Sequence, residues 1–302
     1  MKKTACFLLA VLLCAVVCLC GQFEKASAEE TVEWTYPVSV SSLQSKYAVL
    51  VNEENLLDKS YRPAPLVRVR NVKQATNTEL ELEETTANAL LDMFAAAQAV
   101  TEYTYTAEDK DGTPVTKTAS FPNGMTLYLK SAYRSYGTQS TIYANYLDRN
   151  NGVDDGYVAK PGSSEHQSGY CADILNKKWA GLDRMNQDFE TEVEAYWMKE
   201  NCARFGFILR YPKDKEDVTR IAFEPWHFRY VGVEIATYIM DNNLSLEEFT
   251  VESQAALEDF VARGGDIRKQ MDKEFRLLNA PPESTILDEY GEDGDAEVSL
   301  SF

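Results

Sequence analysis

The chain contains only two histidines, and each lies within a few residues of a carboxylate. His166 is followed by Asp173, and His227 is preceded by Glu224. Imidazole and carboxylate groups are the usual ligands of hydrolytic zinc sites, where a further carboxylate beside the metal acts as general base. If the fold brings the two segments together, they supply two imidazoles, one carboxylate ligand and one free carboxylate. The residue types therefore predict a hydrolytic centre that holds one zinc ion.

The segment that follows His166 contains a competing metal donor. Cys171 and Asp173 are two residues apart in a predicted strand, so their side chains face the same side of it. Gly169 gives the backbone freedom to bend between His166 and that strand. These residues alone leave open whether Asp173 or Cys171 completes the metal site.

Cys171 is also a candidate for a disulfide bond with Cys202. These two cysteines are the ones that remain if residues 1–28 are removed, and they are 31 positions apart. In an oxidising compartment, closing a loop of that length stabilises a protein by about 3 kcal/mol. The alternative is that both are buried free thiols.

Arg134 is the candidate for substrate binding. It follows a predicted strand and precedes Gln139, which lies in the first turn of a predicted helix. A guanidinium group held at such a junction is suited to a bidentate grip on a substrate carboxylate. The alternative is an ordinary surface ion pair.

The N-terminus predicts export. Residues 1–28 combine a lysine-containing start, a short apolar run and a small-x-small site that ends at Ala28, which are the three parts of a secretory signal peptide. An uncleaved membrane anchor is the alternative, although the apolar run is short for a full span. Cleavage leaves 27 basic and 47 acidic residues. So acidic a protein repels nucleic acid and anionic membranes, which excludes both as predicted partners.

Hydrophobic periodicity and turn residues divide the remaining chain into short elements. The ranges predicted as helices are 86–100, 138–149, 188–205, 245–263 and 267–278. The ranges predicted as strands are 47–51, 125–129, 170–175, 207–211 and 219–223, and a surface hairpin is predicted near 101–122. The two histidine segments thus lie next to predicted strands.

Composition and pattern predict five parts along the chain. They are a signal peptide or anchor at 1–28, a linker at 29–44, the main domain at 45–243, C-terminal helices at 244–278 and an acidic disordered tail at 279–302.

Three motifs in this order make residues 45–243 resemble the VanY-type D-alanyl-D-alanine carboxypeptidases. The motifs are residues 131–136 with Gln139, then residues 164–173, then residues 224–227. Flanking residues agree as well, at Val51, Asn52, Tyr61, Pro63 and 205–212. The resemblance implies an α+β fold with a small antiparallel sheet flanked by helices, as in the Hedgehog signalling domain. The insertion at 101–122 departs from the pattern and affects the expected shape of the substrate cleft.

The resemblance also implies roles for individual residues. It implies one zinc ion held by His166, Asp173 and His227, with Glu224 as general base for a metal-bound water. The positions that contact the terminal residue of the peptide in relatives are Arg134, Gln139 and Ser164.

The implied activity is that of a secreted, cell-wall-associated zinc carboxypeptidase that removes the C-terminal D-alanine from peptidoglycan stem peptides. Three alternatives use the same scaffold: an L,D-carboxypeptidase, a peptidoglycan endopeptidase and a non-catalytic module that binds cell-wall peptides. The first two share every motif with the D,D-carboxypeptidase, whereas Glu224 argues against the third because a binding module needs no base.

Overall fold

The computed structural model describes residues 32–76, 78–155 and 158–280. The predicted signal peptide at 1–28 and the tail from 281 onwards lie outside the described residues. Within them, no helix combines the length and the apolar character that crossing a lipid bilayer requires.

The described residues form an α+β fold of short elements. The strands are β1 Leu66–Arg68, β2 Lys73–Gln74, β3 Glu81–Glu83, β4 Glu102–Glu108, β5 Pro114–Ser120, β6 Tyr128–Ser131, β7 Cys171–Leu175, β8 Phe207–Leu209 and β9 His227–Tyr230. The helices are α1 Val40–Leu43, α2 Glu84–Gln98, α3 Tyr136–Arg149, α4 Lys177–Ala180, α5 Val193–Asn201, α6 Glu216–Thr219, α7 Val233–Asp241, α8 Leu246–Ala262 and α9 Ile267–Leu278. Short 3-10 helices lie at Lys46–Ala48, Glu165–Ser168, Gln187–Thr191, Cys202–Phe205 and Lys213–Lys215.

A five-stranded sheet in the order β2-β6-β7-β9-β8 forms the centre of the domain. The pairs β6–β7, β7–β9 and β8–β9 are antiparallel, as expected, but β2 and β6 are parallel. Parallel strands need a long crossover, and β3, α2 and the β4–β5 hairpin provide it. The sheet is therefore small and mixed rather than wholly antiparallel.

The main hydrophobic core lies between this sheet and α2. Strand β7 is buried along its whole length, and Ile174 packs in the same cluster as Leu129 and Phe228. The predicted apolar stripe of α2 supplies Leu90 and Met93 to the cluster. This core fixes the positions of β7 and β9, which carry the candidate metal ligands Asp173 and His227.

Several predicted elements are confirmed. Helices α2, α3, α8 and α9 lie within two residues of their predicted ranges, and α8 begins with the capping box of Ser245 and Glu248. The β4–β5 hairpin occupies the predicted insertion and packs its Tyr105 ring 4.8 Å from Tyr196 of α5. The predicted helix at 188–205 is divided into α5 and two flanking 3-10 helices.

Two predicted strands are wrong. Residues 46–48 form a 3-10 helix, and residues 219–223 are not a strand because Phe223 donates its backbone N–H to the Glu216 side chain at 2.6 Å. The strand in that region is β9, which begins at His227 itself.

The predicted linker at 29–44 is also wrong where the structure describes it, from residue 32. Val38 is fully buried against α7 and α8, Val40 is also fully buried, and the Trp34 ring lies 5.3 Å from Phe260. The Glu274 carboxylate of α9 accepts the backbone N–H of Val40, which begins α1. The N-terminal segment and the C-terminal helices therefore form a second core that packs on the domain.

Candidate metal centre

A cross-strand pair on β7 and β9 forms the base of the site. Asp173 lies directly opposite His227 in the antiparallel register, so both side chains share one face of the sheet. Asp173 Oδ1 lies 3.1 Å from His227 Nδ1. Both residues are buried, with exposures of 2 % and 3 %. The two sequence segments predicted to meet do meet at this pair.

His166 reaches the same point from the 3-10 helix that precedes β7. That helix ends at Gly169, where φ is +74° and an added Cβ would lie 2.7 Å from Pro63 Cγ. His166 Nδ1 donates to the Ala132 carbonyl at 2.6 Å, which leaves Nε2 as the free donor atom for a metal. Nε2 lies 3.4 Å from Asp173 Oδ2.

Two of the three donor pairs have separations that suit a zinc ion. Ligands at zinc's usual bond lengths and tetrahedral angles are about 3.3–3.6 Å apart. His227 Nδ1 lies 3.1 Å from Asp173 Oδ1 and His166 Nε2 lies 3.4 Å from Asp173 Oδ2, and both separations are close to that spacing. Two imidazoles and one carboxylate are also a donor set that catalytic zinc sites use.

Cys171 is close enough to be an alternative ligand. One donor atom from each of His166, Cys171 and His227 lies within 4.8 Å of the others, and Cys171 is fully buried. Burial would raise the pKa of the Cys171 thiol, but the two histidines lower it to about 7. Both alternatives for the third ligand therefore lie beside the imidazoles.

The predicted Cys171–Cys202 disulfide is not formed. Both cysteines are free and buried. Cys171 faces the two imidazoles, whereas the Cys202 thiol donates to the Lys199 carbonyl within the main core. The alternative prediction, two buried free thiols, is the one that the structure has.

Glu224 lies at the more accessible side of the three candidate ligands. Its Oε2 is 3.5 Å from His227 Nδ1, and its side chain is 28 % exposed. Its backbone N–H donates to the Tyr211 carbonyl, which fixes the turn before β9. In the metal-free protein, partial burial and the nearby Asp173 charge raise the pKa of Glu224 to about 7. A carboxyl group with such a pKa can both take up and return a proton near neutral pH.

Arg134, Gln139 and Ser164 are brought together as predicted. Arg134 donates from Nε to Gln139 Oε1 at 3.1 Å and from Nη2 to Ser164 Oγ at 3.4 Å. Its Nη1 donates to Ser131 Oγ at 3.0 Å. Within the described part of the chain, no carboxylate lies within 4 Å of this guanidinium, so the alternative of a surface ion pair is not observed.

The ionisable groups of the site influence one another strongly. Burial and the Arg134 charge would lower the pKa of His166, but Cys171 and Asp173 raise it to about 9. Burial would raise the pKa of Asp173, but the two histidines lower it well below its usual range. The Asp173 carboxylate and the two imidazoles therefore favour each other's charged forms in the metal-free protein.

Sequence reasoning missed a buried charged cluster behind the site. Glu165 Oε1 accepts from Arg210 Nε and from Arg229 Nη1, both at 2.7 Å, and Arg210 continues to Glu247 of α8. Glu165, Arg210 and Arg229 are at most 1 % exposed. The sequence offered one signal. Arg210 and Arg229 each lie in or next to a mostly apolar strand, and a buried arginine needs a buried partner of opposite charge.

Comparisons with known proteins give one family. The family model described as "VanY: D-alanyl-D-alanine carboxypeptidase" matches residues 116–233. The putative carboxypeptidase YodJ of Bacillus subtilis is 34% identical over 204 residues, which are 66% of this chain and 65% of that protein. The D-alanyl-D-alanine carboxypeptidase of Enterococcus faecalis is 48% identical over 94 residues, 31% of this chain and 32% of that protein.

A solved structure is similar as well. The LdcB LD-carboxypeptidase superposes with a TM-score of 0.54 at 34% identity, over 66% of this chain and 83% of that chain. The chain spans just under two thirds of the length of YodJ and about a third of the length of the enterococcal enzyme.

Proposed function

The chain belongs to the VanY family of D-alanyl-D-alanine carboxypeptidases, and from that membership we propose that it is an exported zinc carboxypeptidase that trims peptidoglycan stem peptides. Its reaction is the removal of the C-terminal D-alanine. The relatives named above include a D-alanyl-D-alanine carboxypeptidase and an LD-carboxypeptidase whose structure concerns peptidoglycan recognition.

The observation that carries the proposal is the position of Arg134. Its guanidinium is oriented by the neutral oxygens of Gln139 and Ser164, with no carboxylate of the described residues paired to it. Ser164 is the second residue before the candidate ligand His166. A free peptide carboxylate bound by this guanidinium places the last peptide bond beside the metal ligands. This arrangement favours a carboxypeptidase over an endopeptidase.

His166, Asp173 and His227 would hold the zinc ion. The separations of their donor atoms support this set, and Cys171 is the alternative to Asp173. Zinc supplies a Lewis acid that polarises the scissile carbonyl and makes water more acidic.

Glu224 is the general base in this proposal. Its carboxylate takes a proton from the attacking water at Oε and returns it to the leaving amine nitrogen. Its 3.5 Å separation from His227 Nδ1 and its partial exposure support this role, because it adjoins the ligands and remains within reach of a bound peptide. A pure binding module has no use for such a group.

A second candidate is an L,D-carboxypeptidase that acts on tetrapeptide stems. It is favoured by the LdcB structure, which this chain matches over 83% of that chain's length. Both activities remove a terminal D-alanine and both need Arg134, so the two differ only in the residue that precedes the scissile bond.

Digestion of purified stem peptides tests the proposal and separates these activities. The protein is incubated with zinc and with a pentapeptide, a tetrapeptide or a cross-linked dimer, and the products are identified by mass spectrometry. We expect loss of one alanine from the pentapeptide. Loss from the tetrapeptide alone supports the L,D-activity, and cleavage of the dimer into monomers contradicts a carboxypeptidase. Folded, zinc-loaded protein that cleaves none of them contradicts an enzyme.

A further inference from the structure

The buried charged cluster behind the metal ligands contacts His227 directly. Two guanidinium groups bind the same oxygen of Glu165, Oε1, each at 2.7 Å. The other oxygen, Oε2, points at His227 Nε2 across 3.5 Å. Both of these facing atoms are buried, and neither makes a hydrogen bond to the other or to any other described residue. One is an acceptor and the other carries a proton in one imidazole tautomer, so they suit each other.

That separation suits one orientation of the His227 ring, in which Nε2 faces Glu165 and Nδ1 faces Asp173. With the proton on Nε2, the lone pair is on Nδ1, the atom that lies 3.1 Å from Asp173 Oδ1. If the ring were flipped, Glu165 would face a carbon and Nδ1 would leave the site. Glu165 therefore selects both the tautomer and the orientation in which His227 can bind a metal.

Glu247 keeps Arg210 from disturbing that contact. Arg210 donates from Nη1 and Nη2 to the two Glu247 oxygens at 2.8 Å and 2.6 Å, and from Nε to Glu165. Without the Glu247 carboxylate, the two Nη groups would have no partner of opposite charge except Glu165. They would then compete with His227 Nε2 for Glu165 Oε2, because a buried guanidinium is costly without compensation.

Glu247 comes from outside the segment that the family model matches, which ends at residue 233. It lies in the first turn of α8, whose start is fixed by the capping box of Ser245 and Glu248. Helix α8 is thereby connected to His227 through the side chains of Glu247, Arg210 and Glu165, of which Arg210 and Glu165 are buried.

We propose that Glu165 is a positioning residue that holds the Nδ1 face of His227 toward the metal, and that Glu247 of α8 maintains this contact through Arg210. The inference rests on the zinc centre proposed above. It assigns helix α8 a role in metal binding rather than in stability alone.

Zinc affinity of three variants tests the proposal. In Glu165→Gln, the side-chain oxygen still accepts from the arginines, so the amide NH₂ faces His227 Nε2. Two donors then face each other, which disfavours the tautomer with the proton on Nε2. We expect zinc to bind about 10- to 100-fold more weakly, the usual cost of losing an outer partner of a metal ligand. Glu247→Gln should weaken zinc about two- to fivefold, a small coupling between contacting groups. The matched control is Glu258→Gln, an exposed position on the same helix, which should bind zinc like the wild type.

A spectroscopic readout separates positioning from mere stability. Because the chain has two histidines, ¹⁵N labelling of histidine gives only two sets of ring signals. In the zinc-loaded wild type, we expect the His227 Nε2–H proton to be protected from exchange with water. In zinc-loaded Glu247→Gln, this protection should fall while the His166 signals stay unchanged.

The outcomes are distinguishable. Glu165→Gln and Glu247→Gln variants that fold, bind zinc as tightly as the wild type and keep the protected proton would overturn the inference and leave the zinc centre intact. A wild-type protein that binds no zinc would overturn the zinc centre and the inference together. If Glu165→Gln does not fold, Glu247→Gln decides the question alone.

Discussion

Two clusters of charged side chains contact His227, one through its Nε2 and the other through its Nδ1. They differ in how their charges are compensated. In the cluster of Glu165, Arg210, Arg229 and Glu247, each charged group has a partner of opposite sign at 2.6–2.8 Å. In the metal-site cluster, Asp173 and Glu224 contact no lysine or arginine of the described residues, and they pair only with histidine.

The difference indicates which cluster is completed by a ligand. A buried cluster that is neutral within itself needs nothing more, and its role is to hold neighbouring groups in place. A cluster with two carboxylates on one side and the unpaired Arg134 on the other suits a cation and an anion at adjacent positions. A metal ion and a peptide C-terminus match that arrangement.

The largest effect is expected from changing the free carboxylate of the metal-site cluster. Glu224→Gln keeps the shape and removes the base, so kcat should fall about 10²- to 10⁴-fold. Zinc content, measured by atomic absorption, should not change, because Glu224 is not one of the proposed ligands. Glu258→Gln is the control for loss of one negative charge. Near-normal turnover by Glu224→Gln would contradict the proposed mechanism.

The two clusters should also differ in how pH affects the stability of the metal-free protein. The pKa of His166 is raised from 6.5 to about 9, so its contribution is complete below pH 6.5 and is lost as pH rises through 9. The loss in free energy of unfolding should reach about 3 kcal/mol. The pKa of Glu165 is lowered, so its contribution is lost only at acidic pH.

Urea denaturation across neutral and alkaline pH measures this difference. Zinc should abolish the alkaline loss, because zinc binds neutral imidazole. Equal stability of the metal-free protein at about pH 6 and about pH 9.5 would contradict the interaction of His166 with Cys171 and Asp173.

A smaller effect is expected when Arg134, the proposed binding residue for the substrate carboxylate, is changed. Arg134→Lys keeps the charge but loses the planar fork, so kcat/KM should fall about 10- to 100-fold, mainly through KM. A peptide with an amidated C-terminus is the matched substrate. The wild type should discriminate strongly against it and the variant only weakly. Equal discrimination by both proteins would remove Arg134 from substrate binding.

The smallest effect is expected from Cys171→Ala. If Asp173 is the third ligand, zinc affinity should be unchanged and the stability should fall by about 1 kcal/mol, a typical value for a core substitution. Asp173→Ala should lose zinc. A loss of zinc by the cysteine variant, measured by chelator competition, would assign Cys171 as the ligand instead.

The residues that carry the chemistry of the metal-site cluster could be predicted from sequence because they are local. His166 and Asp173 lie in one short segment, and Glu224 and His227 in another. Only one non-local event, the pairing of β7 with β9, was needed to join them. The roles assigned to these residues stay predictions until they are measured.

The compensated cluster could not be predicted in the same way. Glu165 and Glu247 are separated by 82 positions, and no local pattern states that Arg210 lies between them. The lack of information on non-local partners also explains why a strand was predicted at 219–223, whereas the structure has β9 at 227–230. Alternation shows that a segment can be a strand, whereas pairing partners decide whether it is one.

The central claim is tested most directly by removing and restoring the metal. The protein is treated with a chelator, dialysed and assayed for D-alanine release from a pentapeptide stem, before and after addition of one zinc ion per chain. We expect no release without zinc and full recovery with it in the wild type, and no recovery in His166→Ala. Full release by chelated, zinc-free protein would contradict the account.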